Sequence, residues 1–151
     1  MKSRKEALED AISATRAAAA EGIVAGGGLA LVRCTSFVAA EAERTAGDER
    51  TGLRILQHAL QAPARQIAEN SAVDGGVVVE RMLAGDANIG LDAAMGRYLD
   101  LMEAGIVDPT KVVRVALENT VSAASVLLLT EATMTEIVTK TDHDRETNMP
   151  V

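Results

Sequence analysis

The stretch Gly22-Ile23-Val24-Ala25-Gly26-Gly27-Gly28 decides how the rest of the chain is read. A long alanine-rich helical pattern runs into Gly22, three apolar residues follow, and three glycines then open a second apolar run at Leu29-Ala30-Leu31. Glycine lacks Cβ, so successive N–H groups can converge on an anion, and the N-terminus of the following helix adds a dipole that favours phosphate. On the glycines alone the simpler reading is a helix C-cap followed by a tight turn between crossing helices, because short glycine runs are weak motifs.

Upstream, Ser3 followed by Glu6 has the spacing of a capping box, after which Leu8, Ile12 and Ala19 form an apolar stripe flanked by Ala11, Ala14 and Ala18. A helix is expected from there to about Glu21, with Gly22 as its cap. At about 100° per residue, Asp10 lies nearly opposite the Leu8/Ile12 stripe and faces water or a cleft. Together with Glu9 and Arg16 it also reads as an ordinary solvated face.

Downstream, a second helix is expected from Gly27 or Gly28 to about Glu43, with Leu31, Val32, Phe37 and Val38 inward. Thr45 to Asp48 is a loop. A third helix turns Leu53, Leu56, Ala59 and Leu60 to one side and leaves His58 on the flank, where a lone histidine is a boundary residue before it is a ligand. Pro63 interrupts the pattern and a short fourth helix resumes through Arg65, Ile67 and Ala68. Asn70 to Gly76 is turn chemistry, with Asp74 able to cap a fifth helix over Val77 to Leu83.

Gly85 to Gly90 forms a second glycine-punctuated loop. The segments Ile89–Ala93 and Tyr98–Met102 fit either a small hairpin or helix. Asp108-Pro109 before a long apolar run reads as N-cap and first helical residue. The helix it opens, to about Thr130, is apolar on several faces through Val112, Val113, Ala116, Leu117, Ala123, Ala124 and Leu127, and is expected to be the central helix. Met134 to Val138 alternates weakly, like a strand whose partner lies elsewhere. Thr139 to Val151 is polar and expected to be a flexible tail.

The fold class is therefore mainly α: an orthogonal or antiparallel helical domain with a small hairpin or strand. At 151 residues the chain can bury one sizeable core. With 48% apolar residues but only Phe37 and Tyr98 as aromatics, that core depends on many small contacts. Scarce aromatics and a net charge of −7 argue against nucleic-acid binding. Cys34, the single cysteine, cannot form an internal disulfide and reads as a small buried hydrophobe. The first residues lack a secretory pattern, and Val121–Leu129 falls short of the ~20 residues that cross a bilayer, so a reducing cytoplasmic setting away from membranes is expected.

These blocks together resemble the C-terminal part of a group I chaperonin subunit, the bacterial GroEL type. The resemblance rests on Leu8-Glu9-Asp10-Ala11, Ala14-Thr15-Arg16-Ala17-Ala18, Glu21 to Gly28 with Ala30-Leu31, Ala62-Pro63 with Arg65-Gln66-Ile67, and Gly105-Ile106-Val107-Asp108-Pro109-Thr110-Lys111-Val112. It implies an intermediate-domain helix over residues 1–22, the C-terminal half of an equatorial domain over 23–138, and a tail over 139–151. It further implies that Asp10 orients the water attacking ATP, a task suited to a carboxylate. Gly26 and Gly27 would contact the nucleotide, Asp108 would accept from the ribose hydroxyls, and Asp92, Ala93 and Ile106 would line the adenine and ribose pocket. No metal ligand is assigned to this chain: the implied phosphate loop, the aspartate holding Mg2+ and the client-binding apical domain all precede the equivalent of Met1.

Implied partners are identical ring subunits, with unfolded clients and a co-chaperonin engaged through those other domains. The chain departs from the usual pattern at Leu91-Asp92, where Tyr-Asn is common, at Ala87, where glycine is common, in a longer Glu43–Asp48 loop, and in a tail without Gly-Gly-Met repeats. Two other functions compete: a helical scaffold that self-associates without ATPase activity, and a small nucleotide-binding domain working through Gly26–Gly28 alone.

Overall fold

The computed structural model describes residues 2–132 together with 134 and 135. In chain order the elements are α1 (Lys2–Glu21), β1 (Ile23–Ala25), α2 (Leu29–Arg44), α3 (Gly47–Ala59), α4 (Ala62–Asn70), α5 (Gly75–Ala84), β2 (Ile89–Asp92), β3 (Arg97–Asp100), β4 (Val107–Pro109) and α6 (Thr110–Leu129). The mainly helical class with a small hairpin holds. Two compact units, Met1–Ala116 and Leu117–Val151, divide the chain within α6.

Local chemistry explains most boundaries in the first unit. Gly22 ends α1 at φ +81°, the left-handed conformation that closes helices. Pro63 falls in the first turn of α4, where its missing N–H costs nothing. The Asp74 carboxylate accepts from the Gly76 and Val77 amides at 2.8 and 3.0 Å and caps α5. The hairpin reading of Ile89–Met102 is the one realised: β2 and β3 pair antiparallel, with Leu91 opposite Tyr98 and Asp92 opposite Arg97.

The core gathers Ala25, Leu29, Val32, Ala64, Ala68, Val78, Val79, Met82, Leu91 and Leu101. The alanines matter because they let α4 come against the glycine turn. A Cβ on Gly28 would lie 2.7 Å from the Ala64 amide nitrogen, and one on Gly90 would lie 2.5 Å from Leu101 Cδ1.

Several sequence expectations are overturned. Phe37 is 76% exposed, because Leu29, Val32, Thr35 and Ala42 set the buried face of α2 and Phe37 is turned about 140° from Val32. Cys34 is exposed for the same reason, about 200° from Val32. α3 contains no buried residue, and of its expected inward stripe only Leu60, just past its end, is buried. Ser3 does not precede α1 but lies within it. The Leu8/Ile12 stripe is uncovered.

Asp108 is not a helix cap. It belongs to β4, which pairs antiparallel with β1 so that Val24 faces Asp108 and Ala25 faces Val107. The helix begins one residue after Pro109. Nor is α6 a central helix among the described residues, since none of its residues is buried. Val121, Val126, Leu127, Leu128 and Leu129 are all exposed among the described residues. By length and composition α6 could cross a membrane, longer than the Val121–Leu129 core alone suggested. The Met134–Val138 strand falls partly outside the described residues, and Met134 and Thr135, which are inside, form none. The tail at 139–151 lies outside them altogether.

Candidate functional site

The triglycine turn is clamped by segments far away in sequence. The Gly26 amide donates to the Ile106 carbonyl at 2.9 Å, directly beyond the β1–β4 ladder. Gly26 has little room for a side chain, since a Cβ there would meet the Ile106 carbonyl oxygen at 3.1 Å and require the paired strand to give by a few tenths of an ångström. Gly27 and Gly28 then turn left-handed, at φ +63° and +77°, and the Leu29 amide closes the turn onto the Gly26 carbonyl at 3.1 Å. Gly27 also lies beside the hairpin: its hypothetical Cβ is 3.7 Å from the Leu91 carbonyl oxygen. The Ile106 amide donates to Leu101 at 2.8 Å, and the Leu101 amide to Asn88 at 3.0 Å, tying β4 to the base of the hairpin.

Six of the sequence-predicted site residues are thereby linked through three adjoining backbone segments. Gly26 bonds Ile106, Asp108 lies two residues beyond it in the paired strand, and Gly27 adjoins the strand that ends at Asp92. Ala93 follows Asp92 in the hairpin turn. Asp10 is not among them: it is exposed on α1, about 18 Å from Gly22 along a straight helix axis.

The chemistry of the cluster suits a polyol and an anion. The amides of Gly27 and Gly28 donate to no acceptor among the described residues, and they lie at the N-terminus of α2, whose dipole favours negative charge. The half-buried Asp108 carboxylate accepts no hydrogen bond among the described residues, so it is available to donors such as vicinal hydroxyls. Asp92 is different. It is 8% exposed, its Oδ1 accepts from the Ala94 and Met95 amides at 3.1 and 3.2 Å, and its Oδ2 lies 3.7 Å from Arg97 Nε. That carboxylate is chiefly engaged in closing the hairpin turn. Among the described residues, no three His, Cys, Asp or Glu side chains converge to hold a metal ion.

Sequence reasoning missed three contacts around this region. Arg114, on the first turns of α6, grips Glu21 at the end of α1 through Nε at 3.0 Å and Nη2 at 2.7 Å. The Arg81 guanidinium lies 4.9 Å from the Tyr98 ring centroid, holding α5 to the hairpin. Arg33 reaches from α2 to the loop before β2. Glu21 and Arg114 are 93 residues apart, so no local pattern could have paired them.

The Glu21–Arg114 pair makes a pH prediction. Hydrogen bonding from Arg114 holds the Glu21 carboxyl below its ordinary 4.5, against a smaller opposing effect of desolvation, with the charges of Arg114 and Lys111 adding to the lowering. Its contribution to stability is present above pH 4.5 and lost as pH falls through the lowered folded value. Carboxyl NMR titration of Glu21 should give a midpoint below 4.5 in the wild type and a higher one in Arg114→Ala. Equal midpoints would mean the pair does not persist in solution.

A mainly helical domain with a small two-stranded sheet is consistent with a chaperonin equatorial-like fold. Residues 1–137 match the TCP-1/cpn60 chaperonin family, and the chain belongs to it. It is 70% identical over 137 residues to Chaperonin GroEL 5 of Bradyrhizobium diazoefficiens, a match that takes in 91% of this chain and 25% of that relative. The chain thus spans about a quarter of the relative's length. Its backbone resembles an open-state group II chaperonin monomer from Methanococcoides burtonii, with a TM-score of 0.68 at 23% identity, over 73% of this chain and 29% of that one. That likeness speaks to the fold alone. A group III chaperonin in the open state gives a TM-score of 0.71 at 28% identity, over 78% of this chain and 25% of that one.

Proposed function

We propose that this chain is the C-terminal equatorial portion of an ATP-driven group I chaperonin subunit, with residues 1–22 the intermediate-domain helix and 23–138 the equatorial half. It would work in the cytoplasm within a ring of identical subunits, assisting the folding of client proteins. The observation that carries this reading is the clamp of Gly26 onto Ile106, which sets two amides that meet no acceptor among the described residues, and the Asp108 carboxylate, on adjoining backbone segments. Bound ATP would supply the phosphoanhydride whose hydrolysis drives the cycle, with Mg2+ held by residues outside this chain. Gly26 and Gly27 would let the backbone approach the nucleotide, and Asp108 would accept from the ribose hydroxyls. Ala93 and Ile106 would form the apolar wall of the base pocket, with Asp92 fixing the turn that presents Ala93. Asp10, brought over the site by movement of α1, would accept the proton of the attacking water.

Exchange of the matched 137 residues of Chaperonin GroEL 5 for this chain tests the reading. The hybrid should assemble and hydrolyse MgATP within about threefold of its parent, while the 151-residue chain alone should bind nucleotide weakly and turn over none. A hybrid that assembles but neither binds nor hydrolyses ATP would refute the assignment.

A further inference from the structure

We propose that Arg33 is a positioning residue that sets the affinity of the nucleotide pocket by fastening the hairpin to the helix that follows the glycine turn. This inference rests on the nucleotide reading above. Arg33 is one turn into α2, whose first residue, Leu29, closes the glycine turn. Its guanidinium donates to three successive carbonyls of the loop leading into β2: through Nη2 to Gly85 at 3.1 Å and to Asp86, and through Nε to Ala87 at 3.0 Å. A planar guanidinium can serve several carbonyls at once, whereas a lysine ammonium is a single point of charge.

The position of this staple gives it leverage. The loop it holds runs through Asn88, which accepts from Leu101, and into the strand that ends at Asp92. One wall of the pocket, Gly26 and Gly27, is continuous with α2; the other, Asp92 and Ala93, is continuous with the stapled loop. Along the hairpin strand the wall is held by ladder pairs to β3, which move with it. Arg33 adds charge-assisted bonds between the two walls beside the apolar contacts of Leu29 with the hairpin. It touches neither the base nor the phosphates in this reading, so its loss should loosen ground-state and transition-state binding alike.

Two measurements test this. In the 151-residue chain, hydrogen exchange should quicken by about tenfold at the Leu99 and Leu101 amides in Arg33→Ala and in Arg33→Lys, with exchange in α3 unchanged. In the hybrid ring, both variants should raise the KM for MgATP by about tenfold and leave kcat within about twofold. Millimolar methylguanidinium should restore part of the KM in Arg33→Ala but not in Arg33→Lys, where the ammonium occupies the gap. If the wild-type hybrid turns over ATP and Arg33→Ala leaves KM unchanged, the proposal fails while the nucleotide reading stands. Unaltered hairpin exchange also overturns it, and an inert wild-type hybrid overturns both.

Discussion

Gly28→Ala should destabilise the chain by about 3 kcal/mol or more, whereas Gly22→Ala should cost only about 1 kcal/mol, read as the difference in denaturant midpoints at constant m. Both glycines have positive φ, +77° and +81°, so both substitutions carry the strain of a left-handed alanine. They differ in what surrounds them. Nothing lies within 4 Å of a Cβ on Gly22, whereas one on Gly28 would meet the Ala64 nitrogen at 2.7 Å, its Cα at 3.0 Å and its Cβ at 3.1 Å. Two of those atoms are backbone at the start of α4, with no flexible side chain to yield. The excess at Gly28 therefore measures how closely α4 seats on the turn. Equal losses at the two positions would show that α4 does not hold this approach in solution.

The second large effect concerns hydrolysis, not stability. In the hybrid ring, Asp10→Ala and Asp10→Asn should each lower kcat for MgATP by about 10² to 10⁴ while leaving nucleotide binding within a few fold. Asparagine keeps the size of the side chain but cannot accept the proton of an attacking water. Asp10 is exposed on α1 and makes no part of the glycine cluster, so its removal should not disturb the pocket. Single-turnover hydrolysis alongside equilibrium nucleotide binding separates the two quantities. A fall in affinity matching the fall in rate would deny Asp10 its assigned role and make it a binding residue.

The parts of the fold that were legible in the sequence are those fixed within a few residues. Gly22 stopping α1, Pro63 starting α4 and Asp74 capping α5 each depend on a neighbour inside one helical turn. The hairpin was legible as one of two alternatives. Periodicity could not choose, because what decides it is the pairing of Leu91 with Tyr98 and the seating of Gly90 against Leu101. Asp108-Pro109 misled because its local chemistry suits a helix start equally well. The pairing partner that makes it a strand, Val24, lies outside any window a periodicity argument can use.

Phe37 and Cys34 failed for another reason: apolar character alone does not fix the phase of a helix. Leu29 and Val32 set that phase through their packing, and a buried Thr35, its hydroxyl returned to the Val32 carbonyl at 2.6 Å, occupies a position no hydropathy pattern would choose. Of the candidate site, the glycine turn was visible in the residues themselves. The roles proposed for Asp10, Asp92, Ala93, Ile106 and Asp108 came only with the family resemblance. The Arg33 staple left no mark in the sequence, since its acceptors are main-chain carbonyls more than fifty residues away.

The ribbon of β1 with β4 has a consequence for biosynthesis. Val24 and Asp108 are 108 − 24 = 84 residues apart, and the two strands have no other partners among the described residues. A ribosome must therefore release the chain past Pro109 before β1 can find its mate, and until then three apolar residues and a glycine elbow emerge with open hydrogen-bonding edges. Loop-closure entropy delays such a joining further. A member of the TCP-1/cpn60 chaperonin family thus carries, in its own nascent chain, an interval of vulnerability of the kind that chaperones exist to shield.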